Sequence, residues 1–210
     1  MNKVDLTLYL VTDSTGLTAE QLCERVESAC KGGATLVQLR EKTCTTGEYL
    51  SLARAVKAVT DRYDVPLIID DRADVAMAVG AAGVHVGADD MPVAEVRRIV
   101  GGQMIVGATA KTVEKALQAQ ADGADYLGTG AIYPTTTKVK TVLTDVSVLK
   151  EICDSVDIPV CAIGGLNSEN CYVLKDSGIS GIAVVSAIMK SDDPETATRL
   201  LREKSLSLIK

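Results

Sequence analysis

Eight short apolar runs recur along the chain: Leu6–Val11, Thr35–Leu39, Pro66–Ile69, Gly83–Val86, Met104–Gly107, Tyr126–Gly128, Pro159–Ile163 and Gly181–Val185. Each is nearly continuous in apolar character, as expected of parallel strands buried on both faces. Helix-like stretches lie between and after them: Thr18–Lys31, Thr46–Tyr63, Arg72–Val79, Pro92–Ile99, Thr112–Asp122, Val146–Ser155, Ser168–Ser177 and Pro194–Glu203. Thr18 with Gln21 three positions later has the form of a capping box. Pro92 and Pro194 mark helix starts, and Gly32, Gly80, Gly123 and Gly178 mark helix ends. Strand and helix thus alternate eight times, which predicts an α/β protein with a parallel sheet. Eight units allow closure into a single (β/α)8 TIM barrel spanning residues 1–210 as one domain. An open doubly wound sheet is the alternative, although that fold ordinarily holds fewer strands at this length.

Composition narrows the function. The chain has 210 residues, a net charge of −6 and 47% hydrophobic residues. An acidic balance argues against nucleic acid, which selects a basic face. No apolar run reaches the length of a membrane span, and the first residues lack a charged-then-apolar leader. The expectation is a cytoplasmic protein without membrane or nucleic-acid partners, with a homo-oligomer left open. The six cysteines, at 23, 30, 44, 153, 161 and 171, form no Cys-x-x-Cys pair and read as free thiols.

In such a barrel, chemistry gathers where the strands end. Gln38-Leu39-Arg40-Glu41-Lys42 follows the second run, and strand alternation sends Arg40 and Lys42 to the same side. Asp70-Asp71-Arg72 follows the third run, and Asp89-Asp90 lies beyond His85 and the fourth. Thr109 ends the fifth. Ile132-Tyr133-Pro134-Thr135-Thr136-Thr137-Lys138 follows the sixth, Gly164-Gly165 the seventh and Val185-Ser186 the eighth. Taken singly, each has a plainer reading: Arg40 and Lys42 as solvated charges, Asp71 as a helix cap, Asp89 and Asp90 as turn residues, Lys138 as a surface lysine. Their concentration at one end of the barrel favours the functional reading. Asp71 and Asp90 are hard oxygen donors suited to Mg²⁺. Arg40 can grip phosphate bidentately, with Lys42 and Lys138 as point charges. Thr135 and Thr137, and the amides near Gly165 and Val185–Ser186, suit a second phosphate. The pattern fits two phosphorylated small molecules, one carrying a pyrophosphate. His85, the only histidine, reads as a barrel residue more than as a catalyst.

These segments, in this order and together with Leu8-Tyr9-Leu10-Val11-Thr12-Asp13 and Ala162-Ile163-Gly164-Gly165-Leu166, resemble thiamine phosphate synthases over essentially the full chain. The resemblance implies a transferase. It would join 4-amino-2-methyl-5-pyrimidinylmethyl diphosphate to hydroxyethylthiazole phosphate, or its carboxylated form, and release pyrophosphate. Gln38, Arg40, Lys42 and Lys138 would then lie along the pyrimidine diphosphate, and Thr109 would contact the pyrimidine. Asp70 falls among the substrate-binding positions. Asp71 and Asp90 would hold Mg²⁺, and Thr135, Thr137, Gly165, Val185 and Ser186 would bind the thiazole phosphate. The chain departs from the family at Asp70, where Asn is usual, at Ala88 for Gln and at Thr109 for Ser. Rival readings are a thiazole tautomerase, a Schiff-base aldolase using Lys138, and a non-catalytic phosphate-binding barrel.

Overall fold

The computed structural model describes residues 4–135 and 142–209. Eight parallel strands close into a barrel in chain order: β1 (Leu8–Val11), β2 (Leu36–Leu39), β3 (Leu67–Asp70), β4 (Gly83–Val86), β5 (Ile105–Thr109), β6 (Tyr126–Gly130), β7 (Val160–Ile163) and β8 (Gly181–Val184). Helices α1 (Ala19–Gly32), α2 (Thr46–Asp61), α3 (Ala73–Val79), α4 (Val93–Val100), α5 (Val113–Ala121) and α6 (Val146–Ser155) connect successive strands. After β8 come the short α7 (Ser186–Met189) and the closing α8 (Pro194–Leu206). Strand β1 pairs with β2 on one side and β8 on the other, so no edge is left open. The open doubly wound alternative is thereby excluded.

The pleat sorts each strand into two layers. Outward residues such as Leu8, Leu10, Val37, Ile69, Val84 and Val106 pack with the helices in the larger core. Inward residues such as Leu6, Tyr9, Val11, Leu36, Ile68, Ile105, Tyr126 and Cys161 fill the barrel as a second cluster. Burial on both faces is why the strand runs lack polar alternation. Large inward side chains are accommodated by glycine opposite them. A Cβ on Gly107 would stand 2.1 Å from Cζ of Tyr126, so only glycine leaves room for that ring.

Local signals place most helices as the sequence predicts. Thr18 accepts from the Gln21 amide while the Gln21 side chain returns to the Thr18 amide, the complete capping box. Pro194 occupies the first turn of α8, with Asp193 as its cap. The expected helix at Ser168–Ser177 is instead a single 3₁₀ turn, Cys171–Leu174. Asn167 Oδ1 accepts the amides of Glu169 and Asn170, and Asn170 Oδ1 accepts the amide of Asn167, so the Ser168–Ser177 stretch begins capped. It stops where the backbone leaves helical geometry, at Lys175 with a ψ of 136° and Asp176 with a φ of 61°. Among the described residues no helix is long and apolar enough to cross a membrane. The six cysteines are all free.

Candidate active site

Parallel strands direct all eight C-terminal ends to one rim, and a cavity of about 350 Å³ opens there. Its wall includes Gln38, Arg40, Lys42, Asp70, Asp71, Asp90, Thr109, Thr135, Gly165, Val185 and Ser186. Every described residue expected at the site is therefore brought to one pocket. Thr137 and Lys138 lie outside the described residues.

The β2–β4 side is the charged side. Gln38 points into the barrel from β2, and Arg40 and Lys42 continue its alternation beyond the strand end. Asp70 ends β3, buried. Asp71 turns out of the strand with a φ of 60°, while its amide still donates to the carbonyl of His85 at 2.8 Å. That conformation is uncommon outside glycine, and aspartate tolerates it better than most residues. Asp90 is held by a turn in which the Gly87 amide donates to Asp90 Oδ2 at 3.0 Å.

Charge on this side is crowded. Lys42 Nζ stands 2.9 Å from Asp70 Oδ2 and also touches Asp71 Oδ2, while Arg40 Nε lies 3.6 Å from Asp70 Oδ2. Even so, Asp70 Oδ2 is buried without a well-formed hydrogen bond; its approach to Lys42 is a charge contact with poor alignment. Burial, reinforced by the charge of Asp70 and by a hydrogen bond with Asp90, pushes the Asp71 carboxyl up to about 6 despite the opposing pull of Lys42. Burial alone would lower the Lys42 ammonium, but its pairing with Asp71 and Asp70 outweighs this and raises it.

A divalent cation fits this donor set. Three carboxylates converge, one buried oxygen lacks a hydrogen bond, and one carboxyl is held up by burial and by the neighbouring Asp70 charge. Among the described residues no group of three or more His, Cys, Asp or Glu side chains is arranged to cage an ion. Mg²⁺ needs no such cage, because one or two carboxylates suffice when water and substrate phosphate supply the other oxygens.

The opposite side is built from backbone. Gly164 and Gly165, after β7, have φ values of 106° and 64°. A Cβ on Gly165 would lie 2.7 Å from Cβ of Tyr133 and 2.8 Å from the Pro134 carbonyl oxygen. The Tyr133 amide donates to the Gly164 carbonyl at 3.0 Å. The glycine turn thus lies flat against the segment that carries Thr135. Val185 and Ser186 complete this side at the start of α7.

A chain of hydrogen bonds crosses the pocket floor. Gln38 Nε2 donates to Tyr9 Oη at 2.6 Å, and Tyr9 Oη lies 2.7 Å from Tyr126 Oη. Tyr126 Oη is 3.1 Å from His85 Nδ1, and His85 Nε2 is 3.0 Å from Thr109 Oγ1. Burial raises both tyrosines well above their ordinary value and lowers His85, so the floor holds neutral hydroxyls and a neutral imidazole. His85 is the barrel residue its sequence setting suggests. Sequence reading missed Tyr9 and Tyr126, for which the only signal was that a buried phenol needs a partner. It also missed Lys111, which lines the pocket. Lys111 stands two residues beyond Thr109, the same alternation that links Arg40 to Lys42.

The chain is similar to known proteins over nearly its full length. Residues 8–188 match the family model described as thiamine monophosphate synthase. Thiamine-phosphate synthase 2 of Streptococcus pneumoniae is 53% identical over 204 residues, covering 97% of each chain. The thiamine-phosphate synthase of Ruminiclostridium cellulolyticum is 50% identical over 202 residues, or 96% of each chain. Among solved structures, thiamine phosphate pyrophosphorylase from Pyrococcus furiosus superposes with a TM-score of 0.88 at 38% identity, covering 98% of both chains. A 3-hexulose-6-phosphate synthase shares the fold alone, with a TM-score of 0.74 at 18% identity.

Proposed function

The chain belongs to the thiamine monophosphate synthase family and is a transferase; from that premise we propose how its pocket divides the work. The charged side, from β2 to β4, takes the pyrimidinylmethyl diphosphate. The backbone side, from β6 to β8, takes the phosphate of the thiazole, carboxylated or not. The observation that carries this reading is the crowded cluster of Arg40, Lys42, Asp70, Asp71 and Asp90, which remains electrostatically incomplete without a ligand.

Arg40 and Lys42 bind the diphosphate and neutralise it as it departs, with Lys138 adding a third cation from the segment beyond Thr135. Asp71 and Asp90 would hold Mg²⁺, which when bound adds positive charge at the leaving group. Asp70, in the position usual for Asn, holds Lys42 and Arg40 in the pocket by charge. Gln38 and Thr109 orient the pyrimidine ring over the floor. Thr135, Thr137, Gly165, Val185 and Ser186 fix the thiazole phosphate.

The pyrimidine amino group can donate electrons toward the methylene carbon. The C–O bond then breaks, and both of its electrons leave with pyrophosphate. The thiazole nitrogen, held beside the resulting cation, supplies the electron pair of the new C–N bond; where the thiazole is carboxylated, its carboxylate then leaves as CO2, and the ring carbon keeps the C–C electrons and takes a proton from water. The protein contributes charge and proximity, and needs no nucleophile of its own. The assay is direct: purified protein with both substrates and Mg²⁺ should form thiamine phosphate and pyrophosphate in equal amounts. Thiazole isomerisation without pyrophosphate release, or binding without turnover, would replace this reading with the tautomerase or the binding barrel.

A further inference from the structure

The two strand ends that carry the charged side are drawn apart by their own backbone. The β2–β3 register closes with Leu39 beside Ile69. One residue beyond, the Arg40 amide donates to Thr12 Oγ1 at 3.1 Å, on the β1 side. The Asp71 amide donates to the His85 carbonyl at 2.8 Å, on the β4 side. Each end is thus tied to its outer neighbour where Arg40, Lys42, Asp70 and Asp71 enter the pocket.

Ionic contacts cross the seam between them. Lys42 Nζ meets Asp70 Oδ2 at 2.9 Å and also touches Asp71 Oδ2, and Arg40 Nε lies 3.6 Å from Asp70 Oδ2. These are the groups that a diphosphate and its metal would engage, so on binding they turn from each other to the ligand. A second contact leaves those groups free to do so. Tyr49 Oη donates to the Leu39 carbonyl at 2.8 Å and shares the same proton with the Asp70 carbonyl at 3.2 Å. One hydroxyl thereby spans the residue before Arg40 and the residue before Asp71.

The local sequence aims Tyr49 at this seam. Thr45 caps α2 with a complete capping box: its side chain accepts the Glu48 amide while Glu48 returns to the Thr45 amide. Tyr49 follows in the first turn, its amide donating to the Thr45 carbonyl at 2.9 Å. Its ring is buried in the core between strands and helices, behind the pocket wall. Burial, with the Asp70 and Glu41 charges nearby, holds the phenol well above its ordinary pKa, so the oxygen keeps its proton and remains a donor.

We propose that Tyr49 is a positioning residue whose hydroxyl clasps the ends of β2 and β3, holding Arg40 and Lys42 at a fixed separation from Asp70 and Asp71 once the ion pairs between them have turned to the ligand. The proposal rests on the reading of the charged side as the diphosphate site. Charge held in place before binding stabilises a leaving group more than charge that must be reassembled around it. Tyr49 maintains that order without touching substrate.

Tyr49→Phe tests the clasp, because it keeps the buried ring and removes only the hydroxyl. Tyr63→Phe is the matched control: it also loses a hydroxyl bond, to Glu27 Oε1 at 2.7 Å, but beyond the far end of α2. In Tyr49→Phe, KM for the pyrimidine diphosphate should rise and calorimetric affinity for Mg²⁺-pyrophosphate should fall, each by about fivefold, within the range of one hydrogen bond. KM for the thiazole phosphate should hold, and Tyr63→Phe should match wild type throughout. Unchanged pyrophosphate affinity in Tyr49→Phe would overturn the proposal and leave the hydroxyl a structural contact. Equal losses in both variants, or equal rises in both KM values, would overturn it as well, by assigning the effect to general stability. Failure of the diphosphate reading has a separate signature: wild type that does not bind Mg²⁺-pyrophosphate, which removes the clasp's role together with the site it serves.

Discussion

At the N-terminal end of the barrel, Arg97 spends its guanidinium completely. It donates to the carbonyls of Gly101, Met104 and Gly123 and pairs with Asp125 at 2.6 Å. Asp125 Oδ2 also accepts the amide of Val106 at 2.9 Å. At the C-terminal end, Lys42 is shared between two carboxylates, Asp70 keeps a buried oxygen without a hydrogen bond, and Asp71 is pushed up to about 6. Both ends hold charge in half-buried surroundings. One end arranges its charges so that they satisfy each other, and the other leaves a buried oxygen without a hydrogen bond, which on the reading proposed above a ligand completes. On that reading the contrast separates ionic groups that stabilise the barrel from those kept at some cost to stability for chemistry.

Substitutions at the two ends should therefore fail in opposite ways. Asp71→Asn should lower turnover by about 10²–10³, the range for removal of one preorganised electrostatic group, while costing the fold nothing. The sign follows from the shift. A carboxyl raised from 3.8 to about 6 supports the folded state below 3.8 and loses that support as pH rises through about 6. Above that pH the charged Asp71 is a liability, so in chelator the variant should unfold at the same temperature as wild type or higher. A large fall in its midpoint near neutral pH would erase the contrast.

Arg97→Ala should show the converse. It strands the buried Asp125 carboxylate, and breaking such a pair costs about 3–5 kcal/mol, readable by urea denaturation. Turnover per folded molecule should stay within about twofold of wild type. A smaller effect is expected from Gly165→Ala, where positive φ and the approach to Tyr133 oppose a side chain. KM for the thiazole phosphate should rise by about tenfold, with the pyrimidine KM little changed, as for a local misfit of roughly 1–2 kcal/mol. Equal rises in both would blur the division between the charged and backbone sides.

The smallest effect concerns His85, which burial holds below its ordinary 6.5. Folding requires the neutral ring, so its contribution is intact above about 6.5 and is lost as pH falls through the depressed value. Comparison of unfolding midpoints for wild type and His85→Asn across this range should show a shallower acid decline in the variant. Parallel curves would remove His85 from the balance.

Much of this contrast was legible in the sequence on one side only. The eight strands declared themselves because burial on both faces leaves uninterrupted apolar runs. The charged residues at the pocket declared themselves because strand ends are where polar groups break those runs. The supporting groups stayed hidden. Tyr9 and Tyr126 sit inside apolar runs, and only the closed barrel brings their hydroxyls from β1 and β6 to 2.7 Å. The Arg97 network is equally silent, since its acceptors are mostly backbone carbonyls. The expected helix at Ser168–Ser177 stops after one turn because the backbone becomes extended at Lys175 and left-handed at Asp176, a departure that helical spacing does not reveal.

Titration calorimetry of inorganic pyrophosphate, with and without Mg²⁺, addresses the central claim most directly, because it asks whether the charges at the C-terminal rim await this ligand. Wild type should bind pyrophosphate in a Mg²⁺-dependent manner, Lys42→Met should bind at least about tenfold more weakly, and Arg97→Ala, under conditions where it is folded, should match wild type. Binding that ignores both Mg²⁺ and Lys42 would contradict the account and place the anion elsewhere on the barrel.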